Sequence, residues 1–459
     1  LFQGVAALVG LGAIGYGVWR WLRRKASPPP ATPTPPQPVR VEVPPPPSGT
    51  GRTVVTVEFL DGLPTTPNQP LRRQFEEARA PQERAAKEQR FPQRKADLEE
   101  AIRGYRLALG LGPKPSERAA LLILIGNALL NLSRLGGAED SYKEALSATA
   151  GIEDAKEKKE AQAVALGNMG LVCADRGDLE RAKEHHEQAL AIHRETGDRL
   201  GEAQDLNNLG KLYYRKGELD RALEHLGRAS ALFTEVKDSA GQAGALLNLG
   251  EVYRAKGDLA QAQHYAERSL ALSAVLGDLR GQAYALGNLG IIYRLNGEID
   301  IALQFHHEDL RLEREIGDRV GEVEALGSLG NLYLSKGDLV QAERYFKEAE
   351  QVSASIGYVR GETYMLGNLG VAAFQRGALD EALGYFRRDL ELEKKVGDRL
   401  GEAIALSNLG IVYSDKGEPD KAMEHYEQAL RIFEAVGARI EAETARRNIE
   451  ELRHEKGKP

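Results

Sequence analysis

Gly197-Asp-Arg-Leu-Gly-Glu-Ala-Gln-Asp-Leu-Asn-Asn-Leu-Gly-Lys-Leu-Tyr-Tyr-Arg-Lys-Gly-Glu-Leu-Asp-Arg-Ala-Leu-Glu-His225 is one copy of a 40-residue unit that returns in strict register from about Ala161 to Ala429. Its central glycine falls at Gly170, Gly210, Gly250, Gly290, Gly330, Gly370 and Gly410, with no insertion between the first and the last. Self-similarity at a fixed spacing marks a solenoid, in which each unit packs only on its neighbours.

Two helical stretches with one stop between them make up each unit. In this copy Ala203, Leu206, Leu209, Leu212 and Tyr213 follow three-and-four spacing, which places them along one side of a helix. Lys216-Gly217 ends that helix, since glycine takes the left-handed C-terminal conformation without a Cβ clash, and Glu218 is expected to cap the next one. Leu219, Ala222, Leu223, Leu226, Ala229 and Leu232 then form the stripe of a second helix. The same stop and restart separates units at Gly197-Asp198, Gly277-Asp278, Gly317-Asp318 and Gly397-Asp398. A lone helix pair cannot bury its stripe, but stacked neighbours can.

These residues resemble the tetratricopeptide repeat: the Leu-Gly of its first helix, the aromatic three residues later (Tyr213, Tyr253, Tyr293, Tyr333, Tyr413), and the two alanines of its second (Ala222, Ala229). The 40-residue length and the Gly-Asp-Arg-x-Gly-Glu joint are most similar to the long-repeat subgroup of the Pins/LGN scaffold proteins. The resemblance implies an all-α fold, a TPR α-solenoid wound as a right-handed superhelix. Seven regular units occupy 158–437. Ahead of them, 71–157 holds a divergent unit with Gly126, Ala138 and Ala145, offset because 44 residues separate Gly126 from Gly170. Within the same segment, Asp97 to Leu109 reads as a second helix, and Leu71 to Arg94 as charged helix broken at Pro81 and Pro92. Residues 438–459 are expected to form a capping helix, Ile440 to Glu455, and a tail.

The formal charge of -7 is unevenly spread: residues 1–95 hold 14 Lys/Arg against 7 Asp/Glu, leaving 47 against 61 for the rest. An acidic solenoid argues against nucleic acid as a partner, because phosphate binding needs a basic face. Val5 to Leu22 carries one charge, Arg20, and ends at Trp19 and Trp21 beside Arg23, Arg24 and Lys25. Such a run reads as a single membrane-spanning helix within 1–25, its basic flank placing the rest on the cytoplasmic side. A cleaved signal peptide is the rival, but the charges lie on the wrong side of the apolar run. Gly10-x-Gly12-x-x-Gly15 has the form of a dinucleotide-binding turn, yet Pro28 to Pro30 follow where a strand ending in an acid is required. Residues 26–70 form a Pro-rich linker, with 39–43 and 54–60 able to pair as a short hairpin.

No catalytic constellation emerges, and the chain reads as a non-enzymatic protein without cofactor or metal. Cys173, the sole cysteine, takes the place of Tyr213 on a first-helix stripe. His185, His225 and His425 share one repeat position with Tyr265, Phe305, Tyr345 and Tyr385, which makes it a packing position. The adjacent pairs His185-His186 and His306-His307 point to different sides of a helix and lack chelating spacing. Gly110 to Ser116 lacks the spacing of a phosphate-binding loop.

An asparagine two residues before the central glycine is what apolar packing leaves unexplained: Asn168, Asn208, Asn248, Asn288, Asn368 and Asn408, with Ser328 the exception. Asparagine is a poor helix former, and its amide offers the donor and acceptor that an extended peptide backbone needs. By resemblance to the O-linked N-acetylglucosamine transferases and to Pins/LGN scaffolds, these six residues would line a concave groove and hold a peptide or protein segment. Side-chain selectivity would then come from Lys211, Glu251, Asn331, Tyr284 and Tyr364. The competing account is that the amides tie helices together. Alternatives for the whole chain are a self-assembling, homo-oligomeric scaffold on the membrane, or an adaptor or regulatory subunit of an enzyme encoded elsewhere.

Overall fold

The computed structural model describes residues 69–87 and 91–456. The expected anchor, the linker and the hairpin lie outside these residues. Among the described ones there are nineteen α-helices and no strand, and no helix is long and apolar enough to cross a membrane. The first four are α1 (Gln69–Lys87), α2 (Phe91–Leu109), α3 (Pro115–Asn131) and α4 (Leu135–Ala148). The regular repeats follow as pairs, each with a first helix A and a second helix B. They are α5 (Ala155–Asp175) with α6 (Leu179–Thr196), α7 (Arg199–Arg215) with α8 (Leu219–Glu235), and α9 (Ser239–Lys256) with α10 (Leu259–Val275). Next come α11 (Leu279–Leu295) with α12 (Ile299–Ile316), α13 (Arg319–Ser335) with α14 (Leu339–Ile356), and α15 (Val359–Gln375) with α16 (Leu379–Val396). The last pair is α17 (Arg399–Asp415) with α18 (Pro419–Val436), and α19 (Arg439–Lys456) follows it.

The described residues fall into two compact units, one of 69–298 with 311–318, the other of 299–310 with 319–456. Inside each, the repeat columns of the sequence become layers of core. The alanine of the B helix is fully buried in all seven repeats, at Ala182, Ala222, Ala262, Ala302, Ala342, Ala382 and Ala422. At Gly170, Gly210, Gly330, Gly370 and Gly410 the central glycine of the A helix lies against a large B-helix side chain of its own repeat, whereas Gly250 faces the B-helix backbone at Ala262 and Ala266. A Cβ at Gly370 would stand 2.5 Å from the Phe386 ring, and one at Gly410 2.7 Å from that of Tyr426. The helix-A aromatic pairs with the B-helix column that also accepts histidine: Tyr253 stacks on Tyr265 at 5.3 Å, Tyr333 on Tyr345 at 5.4 Å, and Tyr213 packs on His225 at 4.9 Å. That column is therefore a packing position, and Cys173 is a half-buried neighbour of the same core.

Register between repeats is set at the surface. Lys216 pairs with Glu180 at 2.8 Å, Lys256 with Asp220 at 2.6 Å, and Lys336 with Asp300 at 2.7 Å, while Lys416 pairs with Asp380. In each case the lysine ending an A helix reaches the first turn of the preceding B helix. Exposed pairs contribute little energy singly, but a recurring one disfavours a slipped stack. At the turns, Gly217 and Gly397 take φ of 79° and 77°, as a helix C-terminus requires. Asp178, Asp198, Asp238, Asp258, Asp338 and Asp398 each accept the backbone N–H three residues on. Glu218 does not cap α8 as expected; its longer chain turns to Lys216 and Arg221 instead.

Pro81 does not break its helix. α1 runs through it, because Leu71, Phe75 and Ala78 lock that helix onto Leu98, Ala101, Ile102, Tyr105 and Ala108 of α2. The burial outweighs the single backbone hydrogen bond that proline removes. Gly410→Ala is expected to destabilise the fold by about 1–3 kcal/mol through overpacking against Tyr426. Gly384→Ala, where a Cβ meets nothing within 4 Å, is expected to stabilise it. Thermal melting followed by circular dichroism separates the two; equal shifts would contradict the close-packing argument.

Candidate functional site

The asparagine row lies on the A helices, and successive A helices approach one another: α5 touches α3 and α7, α9 touches α7 and α11, and in the other compact unit α13 touches α15. The six amides do not share one fate. Asn168 is buried, and its Nδ2 donates to Oδ1 of Asn127 at 2.8 Å, an oxygen that also accepts the Tyr142 hydroxyl at 2.7 Å. It is an internal tie between α3 and α5, not a surface group. Asn248 repeats the pattern in weaker form, its half-buried Nδ2 donating to Oδ1 of Asn207 at 2.9 Å. Asn288 donates to the Tyr284 carbonyl of its own helix at 3.1 Å. Asn208 and Asn408 are half-buried and have no hydrogen-bond partner among the described residues. Nδ2 of Asn368 is buried and also lacks one.

Beside the row stand the variable side chains. Lys211 is exposed, Glu251 half-buried, and Asn331 donates to the Tyr364 hydroxyl at 3.0 Å. Tyr284 is half exposed. In the second compact unit the corresponding repeat positions hold Val371, Phe374 and Ile411, all half-buried.

Two polar features went unnoticed in the sequence. Asp205 replaces the alanine found at Ala245, Ala285, Ala325 and Ala405, and it sits between two histidines of α6. Its Oδ1 lies 3.1 Å from Nδ1 of His186 and its Oδ2 2.8 Å from Nδ1 of His193. All three side chains are buried, so a carboxylate that only accepts fixes both imidazoles with the proton on Nδ1. Their Nε2 atoms diverge, that of His186 toward Gly170 and that of His193 toward Gly201, which prevents them from sharing a ligand. Among the described residues no cluster of three or more His, Cys, Asp or Glu side chains has metal-binding geometry. The second feature is a pair of acids in the helix-B alanine column of Ala189, Ala229, Ala349 and Ala429. Asp309 and Asp389 take its place, and burial pushes both up to about 8. The Glu393 carboxyl adds to the rise at Asp389 and is itself raised by burial. The signal for both features was in the columns: a charged residue where the sibling repeats have an uncharged one, alanine in most, Met365 and Ser269 being the others.

The tetratricopeptide-repeat family model matches residues 161–235, 241–308, 281–355 and 362–435, and a second model of the repeat matches 207–274 and 329–392. The chain belongs to the tetratricopeptide-repeat family. No curated protein sequence matches it significantly. Among solved structures it is similar to a signal-transduction ATPase with numerous domains and a tetratricopeptide repeat sensor from Pyrococcus horikoshii. That match has a TM-score of 0.58 and 15% identity over 77% of this chain, and spans only 55% of the other. The apo quorum sensor NprR from B. thuringiensis gives a TM-score of 0.57 and 13% identity over 74% of this chain and 94% of its own. Aspartyl phosphate phosphatase F from Bacillus subtilis gives 0.51 and 10% identity, covering 84% and 96%. At these identities the likeness is one of fold.

Asp205→Ala is expected to lower stability by about 2–3 kcal/mol, because it strands two buried imidazole N–H groups. Equilibrium urea unfolding measures the loss. A raised carboxyl pKa means that folding is most favoured while the acid is protonated, so stability falls as pH climbs from the free-carboxyl range through about 8. Asp389→Ala should therefore leave the melting temperature near the parent's in mild acid and raise it in mild alkali. A shift of equal size across that range would exclude the buried-acid account.

Proposed function

We propose that this tetratricopeptide-repeat protein is a non-enzymatic interaction scaffold that holds an extended peptide or protein segment along the A-helix wall. What carries the reading is the set of amide groups left without partners on the A helices: Asn408 and Nδ2 of Asn368 in one compact unit, and Asn208 in the other. A buried donor without an acceptor is unfavourable, and an extended backbone supplies the carbonyl that satisfies it. The neutral, side-chain-indifferent chemistry of the amide suits main-chain recognition, while Tyr364, Val371 and Phe374 supply apolar contacts. Asn168 is no part of this surface. We further infer from Val5 to Leu22 and its basic flank that the scaffold is tethered to a membrane, with its repeats on the cytoplasmic side.

Peptides selected from a random phage-displayed library against the chain provide the assay. Replacing Asn208, Asn368 and Asn408 together by alanine is expected to weaken peptides that engage all three by roughly a hundredfold, at about 1 kcal/mol per lost hydrogen bond, and those that engage one by several-fold. Melting should stay near the parent's. Asn168→Ala should do the reverse, lowering the melting temperature while sparing affinity. If the triple variant binds as tightly as the parent, the amide wall is not the recognition surface.

A further inference from the structure

Two columns of the repeat meet where α15 packs on α16. Three residues before the central glycine, the A helices carry Gly167, Asn207, Leu247, Gly287, Gly327, Gly367 and Ser407. Both acids of the helix-B alanine column, Asp309 and Asp389, fall in repeats that have glycine here, Gly287 and Gly367. At two of the other glycines the next A helix fills the space a side chain would take. A Cβ at Gly167 would lie 3.2 Å from Oδ1 of Asp205, and one at Gly327 2.6 Å from Cε of Met365. Gly367 differs: apart from its own turn of helix, a single atom stands within 4 Å of such a Cβ, Oδ2 of Asp389 at 3.8 Å. That is ordinary van der Waals contact, so alanine would fit and glycine is not required to make room for the acid. Gly367 is half-buried, which leaves the gap above it open to solvent.

The acid at the floor of that gap finds no answer inside the fold. Asp389 is 6% exposed, and among the described residues its carboxyl has neither a hydrogen bond nor an ion pair. The one charge that acts on it is Glu393, a turn further along α16, and that charge repels. Glu393 is bonded by the Thr363 hydroxyl and feels Arg360 of α15 and Asp398 at the start of α17. The two bases next to Asp389 in sequence are engaged elsewhere. Arg388 pairs with Glu350 at 2.6 Å and lies 3.9 Å from Glu362, while Arg387 donates to the Tyr413 hydroxyl at 2.6 Å. One residue along α15 from the gap, Nδ2 of Asn368 is buried without an acceptor. A bare acceptor and a bare donor therefore lie side by side on the same helix pair.

We propose that the gap over Gly367 receives a lysine or arginine side chain of the bound segment, with Asp389 as its counter-ion. The assignment rests on the A-helix recognition surface proposed above and adds a residue preference to it. A missing side chain on the A helix leaves room for one arriving from solvent, and an unpartnered buried carboxyl selects the sign of its charge. A cation restores the ionisation that burial suppresses, a neutral side chain leaves the acid as it was, and an acidic one is repelled. The amide of Asn368 beside the gap is then free to serve the main chain. Entry of the cation has a proton cost, because burial holds the Asp389 carboxyl protonated up to about 8. The acid releases its proton to solvent and keeps the carboxylate that pairs with the incoming ammonium or guanidinium. Affinity for a basic side chain accordingly rises with pH until Asp389 ionises unaided.

Random phage-displayed peptides selected at about pH 8 against the full chain and against its Asp389→Ala variant test this. Pools from the parent should be enriched in lysine or arginine at one fixed place, and pools from the variant should lose that enrichment while still yielding binders. A selected peptide should bind the parent roughly tenfold or more tightly at about pH 8 than at about pH 6, since only the ionised fraction of Asp389 is competent. Lysine itself stays charged throughout that range, and norleucine in its place should abolish the pH dependence. Calorimetric titration near neutrality in two buffers of different ionisation heat should show about one proton released per peptide bound, and none with Asp389→Ala. A carboxyl that only shapes the fold would produce neither signal. Gly367→Met, which fills the gap as Met365 fills the one over Gly327, should remove the basic preference with melting near the parent's. Binders that lack a basic residue yet weaken with Asn368→Ala refute the counter-ion and leave the recognition surface standing. Equal enrichment of bases by the Asp389→Ala variant, or affinity that ignores pH, also overturns the proposal, and failure to select any binder overturns both readings together.

Discussion

Close approach of the paired helices, permitted where an A-helix glycine faces a large B-helix side chain, is the constraint on which the stack depends. At Gly370 and Gly410 a single added carbon would enter the ring of Phe386 or Tyr426. Because the helices meet there, the alanine column from Ala182 to Ala422 can be excluded from water altogether, and the aromatic of each A helix can reach its partner on the B helix. The exposed lysine pairs then need only keep neighbouring repeats from sliding. Interior packing supplies the cohesion and surface charge the alignment, a division of labour that fits the small energies of exposed ion pairs.

Much of this was legible in the residues, and for a physical reason. A column read across seven repeats averages away local accident, so Ala222 and its siblings announced a buried layer, and the tyrosine-or-histidine column announced a packing contact. What escaped lay where one repeat departs from the rest or where tertiary burial overrides a local rule. Pro81 looked like a break because the chemistry of proline is local, whereas the burial of Phe75 against α2 is not. Asn168 looked like its siblings, yet its partner Asn127 sits in the divergent repeat, whose offset hid the match. Glu218 has the charge of a cap and the wrong reach for one.

Departures from the columns sort themselves by place. The amides that remain without partners are on the A-helix wall, while Asp205, Asp309 and Asp389 are packed inside, behind it. The first group bears on recognition and the second on how firmly individual repeats are held, Asp389 on both. Asp205 is well satisfied by its two histidines; Asp309 has only His306 Nδ1 at 3.7 Å, beyond hydrogen-bond reach, and Asp389 lies near a second acid, so burial pushes both carboxyls up.

Those two acids give the array a graded mechanical profile. Each repeat leans only on its neighbours, so a chain pulled from its ends need not rupture where the load enters. The layers around α12 and α16, where Asp309 and Asp389 are buried, are expected to give way before the others. Alkalinity would soften those layers further, making the extensibility of the array a function of proton concentration.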